Sequence, residues 1–236
     1  MFFYGIIYEH IRSHNTTVRG GNASPGMCFY MVNFISNNML EYYSILNIPT
    51  IPKNIVDTTV SHADMSSKPF NNLFGLTLKD NSVEHSALYH RTVLDQACVD
   101  WITENIPELA NKSCTFGYQY IDAVPGTSGL FGAHTDGTRR GVYVLSYILD
   151  TGSDSTVTTH WWKEIGQDKY RAPSSRAPDY RKLDELSSVV IPANTWHMLD
   201  ASILHSISGI KTRRIAITVG VNNKELADLI WAKYKF

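Results

Sequence analysis

The sequence is poor in charge and nearly balanced: 18% of its 236 residues are charged and the net charge is −1. No surplus of Lys and Arg is present to release counterions from nucleic acid, which argues against a general polyanion binder, and no nucleic-acid partner is expected. Cysteine is scarce as well. Cys28, Cys98 and Cys114 are odd in number, widely separated and form no C-x-x-C pair. That argues against a disulfide framework and a zinc knuckle, and a reducing, cytoplasmic compartment is the simplest reading. No apolar run is long enough to cross a bilayer, so no membrane partner is expected. The opening Met1 to Ile7 is apolar but is broken by Glu9 and His10, and it lacks a basic n-region and a small-residue cleavage site, so it does not read as a leader. The sequons at Asn15, Asn22 and Asn111 then carry no weight.

What is present suffices for one core. Hydrophobic residues make up 43% of the chain, an ordinary globular share, and the length is within reach of one sandwich or barrel. Residues 1–38 mix aromatics with Gly20-Gly21 and Pro25-Gly26 without sustained periodicity, and read as an N-terminal extension of uncertain role. A single domain is expected over 39–236. The prolines of Ile48-Pro49-Thr50-Ile51-Pro52 require an extended path. Between His90 and Leu109, Val93, Leu94, Ala97, Trp101 and Ile102 recur at helical spacing, which predicts a helix ended by Pro107.

From Cys114 the pattern changes to short strand-like runs at 115–123, 130–134, 141–150, 156–162, 188–192, 195–199, 201–207 and 211–221. Breakers such as Pro125-Gly126, Gly137, Gly152 and Pro192-Ala193-Asn194 separate most of them. The expected fold is therefore mostly β with flanking helices: a double-stranded β-helix, the cupin-like jelly roll, with its core at about 115–221. The stretch 163–187 interrupts the strands and is rich in Lys and Arg. It reads as a solvated loop or a lid, and it leans towards an acidic partner. Asn222, with Glu225 at capping-box spacing, predicts a C-terminal helix.

Three residues carry metal-binding chemistry. In an extended chain His134 and Asp136 emerge on one face, because side chains at i and i+2 share a side. His205 lies sixty-nine residues beyond Asp136, in a segment that alternates like a strand. Two imidazoles and a carboxylate on one side of a metal leave adjacent coordination positions open, the arrangement that suits Fe(II) and dioxygen. His197 is the competing histidine, but it stands seventeen residues before Arg214, whereas His205 stands nine. Arg214 supplies a planar fork that matches a carboxylate and keeps its charge at physiological pH. Strand neighbours point to opposite faces, so only one of Arg213 and Arg214 can enter a pocket. Arg214 shares its face with Ala216 and Thr218, and Arg213 with Ile215, Ile217 and Val219; the small, partly polar face favours Arg214.

In this order and spacing the chain resembles the Fe(II)/2-oxoglutarate-dependent dioxygenases, whose motif is H-x-D, a distal His and a basic residue soon after. The resemblance spans roughly Phe116 to Val221. It is most like the prolyl-hydroxylase branch, because Arg214-Ile215-Ala216-Ile217-Thr218, nine residues beyond His205, is similar to the oxygen-sensing prolyl hydroxylases. The resemblance implies Fe(II) held by His134, Asp136 and His205, and 2-oxoglutarate anchored by Arg214, with Tyr147 as a second anchor and Thr218 beside it. It implies consumption of dioxygen, release of succinate and CO2, and hydroxylation of an unactivated C–H bond in a peptidyl proline, an amino acid or a small metabolite. Trp162 and Arg140 are the candidate substrate contacts. Two departures matter. Collagen-type prolyl hydroxylases carry lysine where Arg214 stands, and the second arginine of the nucleic-acid demethylases is missing from Thr218 to Val221. A cupin-like metal-binding or ligand-binding module without oxygenase activity is the alternative.

Overall fold

The alternating segments pair into two antiparallel sheets. The structure, a computed structural model, describes residues 42–66, 72–77, 83–110, 112–124, 131–136, 143–153, 156–165 and 182–236. In chain order the elements are β1 (Tyr43–Leu46), α1 (Lys53–Ser66), β2 (Asn72–Thr77), β3 (Val83–Thr92), α2 (Gln96–Asn105), a short 3-10 turn (Pro107–Leu109), β4 (Cys114–Ala123), β5 (Phe131–His134), β6 (Tyr143–Asp150), β7 (Thr158–Glu164), β8 (Leu183–Val190), β9 (Trp196–Asp200), β10 (His205–Ser208), β11 (Arg214–Val221) and α3 (Lys224–Tyr234). The larger sheet has the order β1-β9-β6-β11-β4-β3-β2 and the smaller one β5-β10-β7-β8. This is the mostly β, jelly-roll architecture that the spacing of the breakers predicts.

The two faces of the larger sheet do different work. On β11, Ile217, Val219 and Val221 join Tyr118 of β4, Tyr147 of β6 and Trp196 of β9 in a core covered by Ala63 of α1, Cys98 and Ile102 of α2, and Ile230 of α3. Each fully buried aliphatic side chain there is worth about 1.5–3 kcal/mol. Burial also pushes the Cys98 thiol up to about 11, which keeps it protonated and inert. The opposite face of the sheet carries Arg214, Thr218 and Gly220 of β11 and looks across a cavity to the smaller sheet.

Several boundaries differ from expectation, each for a local reason. His90, expected in a helix, lies in β3, and Val93 and Leu94 precede the cap of α2, with Val93 72% exposed. The Asp95 carboxylate sets the start of that helix by accepting from the Cys98 N–H at 3.1 Å. The run therefore opens with the last three residues of a strand and a short connection, and only Ala97, Trp101 and Ile102 of its apolar positions lie in the helix. Helix α3 is capped by Asn223, not Asn222: its Oδ1 accepts from the Leu226 N–H at 2.9 Å, and Glu225 is one place too early for a capping box. The run expected at 188–192 is the strand Leu183–Val190, paired along β7 from Thr158↔Val190 to Glu164↔Leu183. Much of it is solvent-exposed, so it lacks the apolar alternation by which strands are recognised. The interruption expected at 163–187 is shorter at both ends, and 166–181 lie outside the described residues. So do residues 1–41. Elements β1, α1, β2 and β3 had no predicted counterpart.

Candidate metal centre

Strands β5 and β10 lie side by side in the smaller sheet, and their register sets His134 directly opposite His205. The two imidazole centroids are 4.5 Å apart with their planes at 47°. Asp136 follows just beyond β5, where its N–H donates to the Ala201 carbonyl at 2.9 Å. Its Oδ1 lies 3.6 Å from His134 Nε2. One ligand atom from each of the three residues falls within 4.8 Å of the others.

The tautomers are set by the backbone. His134 Nδ1 pairs with the Gly132 carbonyl and His205 Nδ1 with the Ile203 carbonyl, both at 2.8 Å, so each Nδ1 carries the proton and donates it. Each Nε2 is then the ring nitrogen that keeps its lone pair, as metal ligation requires, and both rings line the cavity. Two neutral nitrogens and one carboxylate oxygen fit a divalent first-row metal such as Fe(II), with part of the coordination shell left to small molecules.

Arg214 stands at the start of β11 and is only 5% exposed. Its guanidinium makes one hydrogen bond among the described residues, from Nη1 to the Thr151 carbonyl at 3.4 Å. Burial lowers its pKa to about 10, against the opposing pull of Asp150. A buried guanidinium with most of its donors unused fits a carboxylate of an acid such as 2-oxoglutarate. Gly152 makes room for it: its φ is +83°, and a Cβ there would lie 3.0 Å from Arg214 Cβ. The Gly152 carbonyl also accepts from the N–H groups of Lys211 and Thr212, which ties the turn after β6 to the approach of β11. Arg213 points the other way. It forks onto Asp122 at 2.7 and 3.0 Å and lies 4.1 Å over the Tyr120 ring.

One cavity joins these groups. Its wall includes His134, Asp136, His205, Arg214 and Thr218. The Thr218 hydroxyl donates to the Gly117 carbonyl at 3.3 Å, so the cavity meets its oxygen as an acceptor. His197, fully buried, also lines the wall. Its Nδ1 donates to the Thr195 carbonyl at 3.2 Å, and its Nε2 has no hydrogen-bond partner among the described residues. Burial, reinforced by Arg214, pushes its pKa down to about 3, so the ring is neutral.

Two expected contacts are not in the cavity. Tyr147 faces the helix-covered core, where its ring meets that of Trp196 at 5.3 Å and burial raises its pKa. Ser146 and Ile148, its neighbours on β6, are the residues that line the cavity. A one-residue offset in strand register moves a side chain to the other side, and Tyr147 is on the wrong side to meet Arg214. Trp162 likewise turns away: its Nε1 donates to Ser206 Oγ at 2.9 Å and its ring stacks on His160, while Trp161 is the residue paired with His205. Arg140 lies outside the described residues. Tyr89, Arg91 and Gln119 line the wall but were not foreseen. The first two sit in β3, which had no predicted strand, and Gln119 carries no recognisable motif.

No protein-family model matches the chain, and no curated protein matches it. The structure is similar to that of a prolyl hydroxylase from Trichoplax adhaerens solved with a hypoxia inducible factor oxygen degradation domain peptide fragment. The identity is 15% over 79% of this chain and 86% of that one, with a TM-score of 0.44. It is also similar to a Pseudomonas putida prolyl-4-hydroxylase, at 11% identity over 76% of this chain and 91% of that one, TM-score 0.39. A third is the non-heme alpha ketoglutarate dependent epimerase SnoN from nogalamycin biosynthesis, at 10% identity over 76% of this chain and 78% of that one, TM-score 0.40.

Proposed function

We propose that the protein is an Fe(II)- and 2-oxoglutarate-dependent dioxygenase that hydroxylates an unactivated C–H bond and releases succinate and CO2. One observation supports the reading: His134, Asp136 and His205, with one ligand atom each within 4.8 Å of the others, share a cavity with a buried guanidinium that has one weak hydrogen bond among the described residues. The metal and the 2-oxo acid would supply the activation of dioxygen. The chain's own residues bind and orient. His134, Asp136 and His205 would hold the metal on one side, with Gly132 and Ile203 fixing both imidazoles in the ligating tautomer. Arg214 would pair with the far carboxylate of the acid, and Thr218 would rotate its hydroxyl from Gly117 to donate to it. Residues of β11, β6 and β4 form the wall behind them. The co-reactants would be dioxygen and a small-molecule or peptidyl substrate. We assign the activity to 39–236, with 1–38 as an extension, in a cytoplasmic setting; no described helix is long and apolar enough to cross a membrane.

The test is spectroscopic and chemical. Under anaerobic conditions, Fe(II) and 2-oxoglutarate together should produce the weak visible charge-transfer band of the chelate, and admitting air should produce succinate. His134→Ala or Asp136→Ala should abolish both. Absence of band and succinate from the wild type would leave a metal-binding or ligand-binding module of cupin type.

A further inference from the structure

The cavity wall holds a second guanidinium. Arg91 of β3 is half-buried and makes no hydrogen bond and no ion pair among the described residues. Its side chain lies across Gly117, where an added Cβ would stand 2.5 Å from Arg91 Nε and 3.0 Å from Nη2. The missing side chain of Gly117 is what admits the guanidinium to that position. Gln119 stands directly opposite Arg91 in the register of β3 and β4. Tyr89 donates its hydroxyl to Gln119 Oε1 at 3.0 Å, which leaves the Gln119 amide N–H groups as donors beside Arg91.

The place of Arg91 separates it from Arg214. Arg214 and Tyr89 are both paired with Ile121, whereas Arg91 and Ala216 are both paired with Gln119. Two strand spacings across and one pleat along put the arginine Cα atoms roughly 12 Å apart. A 2-oxo diacid that chelates a metal through one end has a single free carboxylate, which Arg214 would take. A second unpaired cation in the same cavity therefore has no counterpart in that acid, and desolvating it without an anion is costly.

We propose that Arg91 and the Gln119 amide form a second anion subsite, and that the primary substrate is a small molecule bearing a carboxylate. This inference rests on the proposed oxygenase reading for the role of the bound acid as substrate, but the subsite itself does not.

The experiment titrates the full chain, loaded with Mn(II) as a redox-inert metal, by calorimetry with and without saturating 2-oxoglutarate. The probes are propionate, hexanoate, L-leucine and L-proline, each against its primary amide, with inorganic phosphate as a further arm. At least one acid should bind at least tenfold more tightly than its amide. Arg91→Gln should bring that acid to the affinity of the amide, and Arg91→Lys should restore part of the difference. The 2-oxoglutarate Kd should move by less than threefold in Arg91→Gln. The proposal is overturned if no acid binds, if acids and amides bind alike, if phosphate outcompetes every carboxylate, or if Arg91→Gln weakens 2-oxoglutarate as Arg214 variants do. Discrimination between acid and amide without any binding of 2-oxoglutarate would uphold the subsite and sink the oxygenase reading instead.

Discussion

Replacing Arg214 with methionine keeps an unbranched apolar stem and removes the charge. Arg214 is 5% exposed, its guanidinium makes one hydrogen bond among the described residues, at 3.4 Å, and burial lowers its pKa to about 10. That displacement corresponds to roughly 3 kcal/mol against the charged form. For a base with a lowered pKa the penalty is complete at neutral pH and fades only as pH rises beyond about 10. The ligand-free Arg214→Met protein should therefore be as stable as the wild type, or more stable by up to ~3 kcal/mol. Binding should show the opposite sign. Truncating one partner of a desolvated charge pair costs about 2–5 kcal/mol, so the 2-oxoglutarate Kd should rise by roughly 30-fold to several thousand-fold. Denaturant unfolding of the ligand-free protein and calorimetry of the Mn(II)-loaded protein measure the two effects. Arg213→Ala is the control: its side chain is 45% exposed, so it should cost at most about 1 kcal/mol and leave 2-oxoglutarate affinity unchanged. The reasoning is refuted if Arg214→Met loses more than ~2 kcal/mol without ligand, or binds 2-oxoglutarate within threefold of the wild type.

Two further outcomes follow from neighbours of that guanidinium. His197 is buried neutral with its pKa pushed down from 6.5 to about 3, so as pH falls through that interval the unfolded chain takes up a proton that the folded one refuses. Wild-type stability should fall by as much as ~5 kcal/mol from this residue, and the fall should be shallower in His197→Gln; equal slopes in urea melts between pH 7 and pH 4 would contradict the burial account. At Gly152, alanine must adopt φ near +83° and crowd Arg214 Cβ. Gly152→Ala should cost about 1–2 kcal/mol and weaken 2-oxoglutarate by roughly tenfold, and an unaltered melt and titration would show that the turn does not position the arginine.

Much of the barrel was legible because its strands alternate and its turns carry glycine, proline or asparagine. Asn194, at φ +56°, and Gly152 and Gly209, at φ +83° and +80°, occupy backbone conformations that such residues tolerate best. Legibility failed where a local pattern was shared by two structures. Val93 and Leu94 fit a helical period, yet an aspartate cap one residue later decides where the helix begins. Strand β8 was underestimated because an exposed edge strand need not alternate. Side assignment failed at β6 and β7 for a simpler reason: Tyr147 and Trp162 are each one residue away from a cavity-facing position or its face.

The order H-x-D, distal histidine and arginine, together with the small, partly polar side shared by Arg214, Ala216 and Thr218, is a property of the linear chain. It was enough to separate Arg214 from Arg213, because in an extended strand alternate residues take opposite sides. Folding decided matters that depend on what lies across a gap. Only the pairing of β10 with β5 sets His205 opposite His134, and only the carbonyls of Gly132 and Ile203 hold the proton of each ring on Nδ1. The pairing of β3 with β4 likewise brings Arg91 over Gly117, twenty-six residues later in the chain. No local period records such contacts, because they arise from sheet register between segments whose separation along the chain is set by loops.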